Sequence, residues 1–424
     1  MIRRCTTSHT RRANLSCLRA AGVSSMLLAS ACLGRTSLFG PTHRPDGHLH
    51  EAGDSRAADE SATGDTSGAT GDLGHVAIEV IPVVGWTQGT TYDSDSYVDL
   101  DVDWSRSLAY AASREPGVCV AIFDLTDMAN PTLLANLSPE TTPATGGDRC
   151  LGVRLFAGGT RLAVSCSDTS VVEIWDLGAD PRTLAWSGLS SAPAPTPTRM
   201  EIVESNPTTM VVGVRWSPDG ARRFEIVGGG TALVDLGTFS NACSHNHVTP
   251  VANNWVITAC WEDGSSIVQV APSNMTMERS IDMDNGGTSG FWSGAISADG
   301  TRVFQGGWVA GFLEYVPGGT DEIVLRSRFN NPNAGYRSAQ FVEEGGAAHL
   351  YVITGDRVLE VWDATDLSSP HFVRRGVVDV ATREGYGVKV DVASRRAIVV
   401  ANGGQLVVID IDTIPVSFGT HDPF

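Results

Sequence analysis

The chain of 424 residues is poor in lysine and in charge. Its one lysine, Lys389, is accompanied by 29 arginines and lies in Gly-Val-Lys-Val-Asp, so the chain has no Gly-Lys-Ser/Thr phosphate loop. Charged residues make up 18% of the chain, and the formal net charge is −18. Because an acidic surface repels phosphate backbones, these features argue against a nucleic-acid-binding protein.

Sequence signatures of catalysis are also missing. The chain contains no G-x-S-x-G, no H-E-x-x-H and no G-x-G-x-x-G, and it has no C-x-x-C pair of the kind that indicates a metal site. We therefore assign no catalytic residue from the sequence. The clearest apolar run covers residues 20–31, which is shorter than the roughly 20 residues that a spanning helix needs.

The N-terminal segment has the pattern of an export signal. No acidic residue precedes Cys32, and the apolar run follows five arginines, Arg3, Arg4, Arg11, Arg12 and Arg19. This pattern predicts a signal peptide at residues 1–31. Leu28-Ala29-Ser30-Ala31-Cys32 resembles a bacterial lipobox, which implies lipidation of Cys32 and a place in the outer membrane, the periplasm or the cell surface. Cleavage and simple secretion is the alternative.

Residues 32–74 are rich in Gly, Ser, Thr, Ala and Asp. Their apolar residues are too sparse to offset the entropy of ordering, so we predict a disordered acidic tether. The membrane is then contacted only through the N-terminal lipid.

Residues 75–424 repeat one β-rich unit. Short β-branched runs alternate with tight turns, and the turn before the second strand of each unit falls at residues 105–107, 157–160, 217–220, 252–254, 298–300, 344–346 and 394–396. The mean spacing of about 48 residues fits a four-stranded propeller blade. We predict an all-β, seven-bladed β-propeller at residues 75–424. Six or eight blades stay open because the spacing is uneven, with residues 190–198 interpreted as a surface insertion.

The units share two further features. Third strands end in an acid with a proline soon after, as in Val358-Leu-Glu-Val-Trp-Asp363 and Leu406-Val-Val-Ile-Asp410. We expect these Asp side chains to accept hydrogen bonds from backbone amides where the strand ends. The last unit is short, so residues 75–84 are expected to supply its outer strand and close the ring.

The repeats are similar to a known family. Residues 120–131, 358–370 and 406–415, together with Ser244-His-Asn-His-Val248, resemble the LVIVD-repeat proteins, and Trp216-Ser-Pro-Asp-Gly220 is closer to WD-repeat and TolB-like propellers. The LVIVD resemblance covers most of residues 95–424. It implies an exported bacterial surface β-propeller and brings no catalytic residues.

Two cysteine pairs occupy equivalent hairpin positions. Cys150 and Cys166 open a first strand and end the next one, and Cys243 and Cys260 do the same two units later. Antiparallel neighbours across such a turn come within disulfide distance, so we predict the bonds Cys150–Cys166 and Cys243–Cys260. Cys119 is left as a buried apolar residue.

Two groups of side chains are candidate ligand sites at the mouth of the central channel. His245 and His247 at i and i+2 of a strand should share one side, and with Asp93 and Asp95 they form a candidate divalent-metal centre. Phe291, Trp292, Tyr336, Arg337 and Tyr386 begin three successive first strands and could stack on a ligand such as a sugar. The alternatives are hydrogen-bonded turn histidines and aromatic blade packing.

The leading functional hypothesis is a non-enzymatic binding module for a protein or glycan at the axial face. The alternative is a metal-dependent envelope enzyme, a hydrolase or oxidoreductase, with its centre at His245 and His247. A purely structural surface component is the third. The fold does not choose among them.

Overall fold

The computed structural model describes residues 78–89, 97–114, 118–137, 150–167, 169–183, 187–204, 208–214, 220–239, 245–251, 255–260, 264–270, 275–281, 292–316, 322–330, 335–379 and 384–421. All of them belong to the unit Leu73–Phe424. The predicted signal peptide and tether, Cys32, Asp93, Asp95, Cys243 and Phe291 lie outside these residues.

The described strands form seven sheets, which we number as blades in chain order. Blade 1 comprises β3 (Tyr97–Asp103), β4 (Leu108–Ser113), β5 (Val120–Asp124) and β6 (Thr132–Leu137). Blade 2 comprises β7 (Cys150–Phe156), β8 (Arg161–Cys166), β9 (Val171–Asp176) and β10 (Ser187–Pro193). Blade 3 comprises β11 (Pro197–Val203), β12 (Thr209–Val214), β13 (Ala221–Val227) and β14 (Ala232–Phe239).

The following two blades have the same order of antiparallel strands. Blade 4 comprises β15 (His245–Val251), β16 (Trp255–Cys260), β17 (Gly264–Val270) and β18 (Met275–Ile281). Blade 5 comprises β19 (Ser293–Ile296), β20 (Arg302–Gly306), β21 (Val309–Val316) and β22 (Glu322–Asn330).

The last two blades also hold the chain's terminal strands. Blade 6 comprises β23 (Tyr336–Glu344), β24 (Ala347–Thr354), β25 (Val358–Asp363) and β26 (His371–Val378); β1 (Val80–Ile81) and β30 (Val416–Gly419) both pair with β26. Blade 7 comprises β27 (Gly385–Asp391), β28 (Arg396–Ala401) and β29 (Gln405–Asp410), with β2 (Val83–Gln88) paired to β29. An N-terminal strand thus completes the last blade, although it begins at Val83 and not at residue 75.

The first strand of each blade faces the axis. β3, β7, β11, β15, β19, β23 and β27 each contact the first strand of the next blade, and β27 contacts β3, so the ring is closed. The predicted all-β propeller is confirmed. Closure of this kind leaves no open sheet edge between the first and last blades.

Apolar side chains fill the spaces between neighbouring blades. One cluster joins blades 1 and 2, another blades 2 and 3, and others blades 5 and 6, 6 and 7, and 7 and 1. All six residues of β4 are buried. Such strands are covered on both faces, which explains their continuous apolar runs.

The repeated third-strand motif has a direct structural reason. The terminal carboxylates of Asp124, Asp176, Asp363 and Asp410 each accept a hydrogen bond from the amide two residues later, at 2.8–3.0 Å. Within the motif, Nε1 of Trp362 donates to the buried Glu360 at 3.0 Å, and Trp175 donates to Glu173 at 2.9 Å. The expectation for the Asp residues is confirmed.

Blade 3 corrects two details of the sequence interpretation. The turn before its second strand lies between β11 and β12, whereas residues 217–220 join β12 to β13. Residues 190–198 are not an insertion, because they contribute to β10 and β11. The uneven spacing therefore came from one misassigned turn.

Helical structure is minimal in the described ranges. It consists there of two short 3₁₀ helices, Pro181–Thr183 and Ile411–Thr413. None of the described helices has the length and apolar character of a membrane span.

Candidate functional site at the axial mouth

A β-bulge recurs near the start of the innermost strands. The pairing with the second strand shifts after Tyr97, Cys150, Pro197, His245, Tyr336 and Gly385. A bulge inserts an unpaired residue and re-aims its side chain. The inserted positions include Val98, Leu151, Arg199, Asn246, Arg337 and Tyr386. Bulged residues therefore lie together at one end of the ring of inner strands.

Arg199, at the bulge of blade 3, joins four other blades. Its Nη1 donates to the carbonyls of Trp292 at 3.1 Å and Arg337 at 2.7 Å. Its Nη2 donates to the carbonyls of Val98 and of Tyr386, the latter at 3.1 Å. These carbonyls belong to blades 5, 6, 1 and 7, so the guanidinium lies across the axis. Burial lowers the pKa of Arg199 from its ordinary value.

A second group lies beside this guanidinium, and we call it the axial cluster: Trp292, Trp308, Arg337, Glu384 and Tyr386. The guanidinium of Arg337 lies 3.9 Å from the ring centre of Trp292 and 5.3 Å from that of Tyr386. Trp308 packs edge-on against Trp292 with 5.1 Å between ring centres. All three aromatic side chains are half-buried. They form a partly exposed aromatic surface around one arginine.

A carboxylate completes the axial cluster. Glu384 Oε2 accepts the hydroxyl of Tyr386 at 2.6 Å and lies 3.2 Å from Nη2 of Arg337. The side chain of Glu384 is 41% exposed, whereas that of Arg337 is 11% exposed. The exposed carboxylate and the adjacent rings are thus the parts of the cluster that a ligand can reach.

Gly335 makes room for the central ring. Its φ is +60°, and a Cβ at this position would lie 2.4 Å from Cζ3 of Trp292. Only glycine combines that backbone conformation with such close approach of an indole. The glycine that precedes Tyr336 and Arg337 therefore positions Trp292 of the neighbouring blade.

The inner strands below this mouth hold a buried charge network. Arg154 Nη1 binds Asp99 at 2.5 Å, and its Nη2 binds Glu201 at 2.7 Å, linking blades 2, 1 and 3. Burial alone would lower the pKa of Arg154, but the two carboxylates raise it well above its ordinary value. Lys389 lies 3.5 Å from Asp101, which joins blades 7 and 1. Ion pairs therefore cross three interfaces between neighbouring inner strands.

The predicted aromatic set is only partly brought together. Trp292, Arg337 and Tyr386 meet in the axial cluster, and Phe291 lies outside the described residues. Tyr336 is fully buried, with its ring 5.7 Å from Phe304 and 5.8 Å from Phe329. It is therefore a core residue between blades and not a ligand contact, because the bulge of β23 falls at the next residue.

The predicted metal centre rests on positions that the structure describes only in part. His245 and His247 both lie on β15, opposite Cys260 and Ala259. The backbone pairing of β15 with β16 shifts register between the two histidines. The structure does not describe the side chains of the two histidines, and Asp93 and Asp95 lie outside the described residues. The metal centre therefore stays a prediction.

The structure corrects the predicted disulfide of Cys150. Cys150 and Cys166 do lie opposite each other on β7 and β8, but the bond joins Cys150 to Cys119, with 4.9 Å between Cα atoms. Cys119 was expected to be a leftover residue; it precedes β5 of blade 1 and faces the same apolar core. The bond Cys243–Cys260 also stays a prediction, because Cys243 lies outside the described residues.

Sequence reasoning missed Arg199, Trp308 and Glu384. Arg199 was hidden because the residues before it were interpreted as an insertion. Glu384 directly precedes the Gly-Tyr-Gly start of β27, so its position beside Tyr386 could have been predicted from the repeat. Trp308 lies two residues after the second strand β20, and no sequence motif indicates an axial position there.

Comparisons with known proteins support the fold. No family model matches the chain, and no curated protein matches it. The chain is similar to the crystal structure of the β-propeller domain of Cps50 (Swd1) from Myceliophteria thermophila, with a TM-score of 0.56 and 11% identity. The match covers 77% of this chain and 99% of that domain. At this identity the similarity shows a β-propeller and nothing more specific.

Proposed function

We propose that the protein is an exported, lipid-anchored, seven-bladed propeller of the LVIVD type that binds a glycan at its axial cluster. The observation that carries the binding site is the partly exposed surface of Trp292, Trp308 and Tyr386 around the pair Arg337–Glu384. Ligand sites commonly combine apolar and aromatic walls with a few placed polar groups.

The chemistry of the cluster favours a sugar. The apolar face of a sugar ring can lie on an indole or phenol ring, while its hydroxyls bond to a carboxylate or guanidinium. Glu384 supplies an acceptor next to the rings, and Arg337 is held in place by its stacking on Trp292. The seven sheets whose inner strands form a closed ring support the proposed blade count.

The export part of the proposal rests on the N-terminal sequence. The arginine-rich segment, the apolar run and the lipobox-like residues before Cys32 support cleavage and lipidation there. The repeat sequences support the LVIVD resemblance. Globomycin treatment of a producing bacterium and mass spectrometry of the N-terminus test this part separately from the binding site.

A panel of immobilised neutral and uronate-containing oligosaccharides tests the ligand class. We expect the full chain to be retained on at least one member, and Trp292→Ala or Glu384→Gln to reduce retention at least tenfold. Trp86→Ala is the matched control, because Trp86 is 49% exposed on the outer strand β2. No retention on any member, or equal loss in the control, overturns the glycan proposal; retention of a protein partner by the same residues would identify a protein site instead.

A further inference from the structure

Three cysteines share one point between blades 1 and 2. Cys119, Cys150 and Cys166 are all fully buried in the apolar core that joins these blades. Cys166 Sγ lies 3.1 Å from Cys150 Sγ and 3.6 Å from Cys119 Sγ. We call these residues the cysteine cluster.

Cys150 has two partners placed for a disulfide. Cys119 is bonded to it across the interface between the blades. Cys166 is its partner in the antiparallel pairing of β7 and β8. Residues opposite each other on antiparallel strands have Cα atoms about 4.5 or 5.5 Å apart, which is within the range that a disulfide spans. Either bond is therefore compatible with the positions of the strands. The exchange itself requires the cysteine side chains to turn, because Cys166 Sγ lies beside the Cys119–Cys150 bond and not in line with it.

We propose that the cysteine cluster holds one disulfide that exchanges between two positions, Cys119–Cys150 and Cys150–Cys166. The first position ties blade 1 to blade 2. The second ties two strands of blade 2 and releases the tie between the blades. Cys150 is common to both bonds, and it begins the inner strand next to the bulged residue Leu151.

The exchange is balanced without an external oxidant. The thiolate of Cys166 attacks Sγ of Cys150 and forms the new S–S bond, while the bond to Cys119 breaks. Cys119 leaves with the electron pair as a thiolate and takes up the proton that Cys166 lost. Because an apolar core disfavours thiolates, the exchange is slow and accelerates at alkaline pH.

Trypsin separates the three cysteines, which makes the bond easy to map. Cleavage after Arg114, Arg149, Arg154, Arg161 and Arg182 places Cys119, Cys150 and Cys166 in the peptides 115–149, 150–154 and 162–182. The full chain, prepared in an oxidising compartment, is incubated at mildly alkaline pH for increasing times. Thiols are then blocked with N-ethylmaleimide in mildly acidic denaturant, and the linked peptides are quantified by mass spectrometry.

We expect two linked pairs of peptides, 115–149 with 150–154 and 150–154 with 162–182. Their proportions should reach the same plateau from starting mixtures of different composition. Starting mixtures are obtained by reoxidising reduced protein at different pH. Only one linked pair at every time and pH overturns the proposal, and this result needs no variant.

Single substitutions give a second, independent measurement. Cys119→Ser should form Cys150–Cys166, and Cys166→Ser should form Cys119–Cys150. Cys150→Ser should form neither bond and should leave Cys119 and Cys166 as thiols. Circular dichroism identifies any variant that fails to fold. A folded Cys119→Ser without its bond, or a Cys119–Cys166 bond in folded Cys150→Ser, contradicts the role of Cys150 as the shared partner.

Discussion

Replacing Arg199 with methionine tests the arrangement at the axis. The guanidinium donates to four backbone carbonyls that come from four other blades. The acceptors it has in the described part of the chain are all carbonyls, so its charge is not neutralised by direct contact with an acid. Methionine keeps a similar length and apolar stem but supplies no donor.

The expected loss of stability follows from two opposing contributions. Each buried carbonyl left without a donor costs about 1–3 kcal/mol, and four carbonyls are at stake. Removing the buried charge offsets part of this loss of stability, because burying an ion costs several kcal/mol even after relaxation. Water can reach some of the carbonyls, so we expect a net loss of about 2–4 kcal/mol. This is a large share of the roughly 5–15 kcal/mol that a folded domain has.

Equilibrium unfolding in guanidinium chloride measures this loss, with an unchanged m-value as the sign that the fold is kept. Arg222→Met is the matched control: Arg222 bonds the carbonyl of Pro193 and the exposed Asp235, so its loss should stay below about 1 kcal/mol. The stability loss of Arg199→Lys should lie between those of Arg199→Met and the control, because an ammonium keeps the charge but not the planar arrangement of donors. If Arg199→Met unfolds at the same denaturant concentration as the unmodified chain, Arg199 does not hold the blades together.

Three further predictions concern the glycine, the disulfide and an acid. Gly335→Ala should shift tryptophan emission and weaken glycan retention. Gly345→Ala is the control and should do neither, because Gly345 has a similar φ of +61° and an added Cβ there would have no atom within 4 Å. Cys150→Ser should lower the stability of the oxidised chain by about 3–4 kcal/mol and that of the reduced chain by much less, which urea unfolding with and without dithiothreitol would show or refute. Hydrogen bonding from Arg182 lowers the pKa of Asp124 to about 2 from 3.8, so the stability this pair provides is present above pH 4 and is lost as the pH falls toward 2. The stability deficit of Arg182→Ala should therefore shrink over that range in urea titrations, and a constant deficit would contradict this pairing.

The strand repeats were readable because their signals are local. An Asp at the end of a third strand binds the amide two residues on, and this contact needs no other blade. Apolar runs such as β4 show that both faces of a sheet are covered. These local features were enough to predict the strands, the propeller and the N-terminal strand that closes it.

The axial positions were less readable because they depend on where a bulge falls. Tyr336 and Tyr386 both follow a glycine at the start of an inner strand, yet the first is in the core and the second is at the axis. The bulge falls one residue after Tyr336 but at Tyr386 itself. A shift of one residue exchanges the two sides of a strand, and the sequence pattern does not record it.

The disulfide and Arg199 were missed for a related reason. Cys119 precedes β5 of blade 1, and its bond crosses to blade 2, so the partner depends on how the blades pack. Arg199 depends on carbonyls from four blades that meet only when the ring closes. Hairpin geometry alone could predict the opposition of Cys150 and Cys166, which the structure confirms, but not the bond across the interface.

The ion network around Arg154 allows the cost of an unpaired buried charge to be measured directly. Asp99 is 4% exposed, and it accepts Nη1 of Arg154 and the amide of Val153 at 3.1 Å. Arg154→Met leaves the Asp99 carboxylate without its cation, so we expect a loss of about 3–5 kcal/mol. Asp99→Asn removes the charge and keeps an acceptor for the amide, so the double variant should be more stable than Arg154→Met alone. A double-mutant cycle in urea measures this coupling. If the two losses simply add, the stability of the inner ring does not depend on charge pairing at Asp99, and packing between blades holds the ring instead.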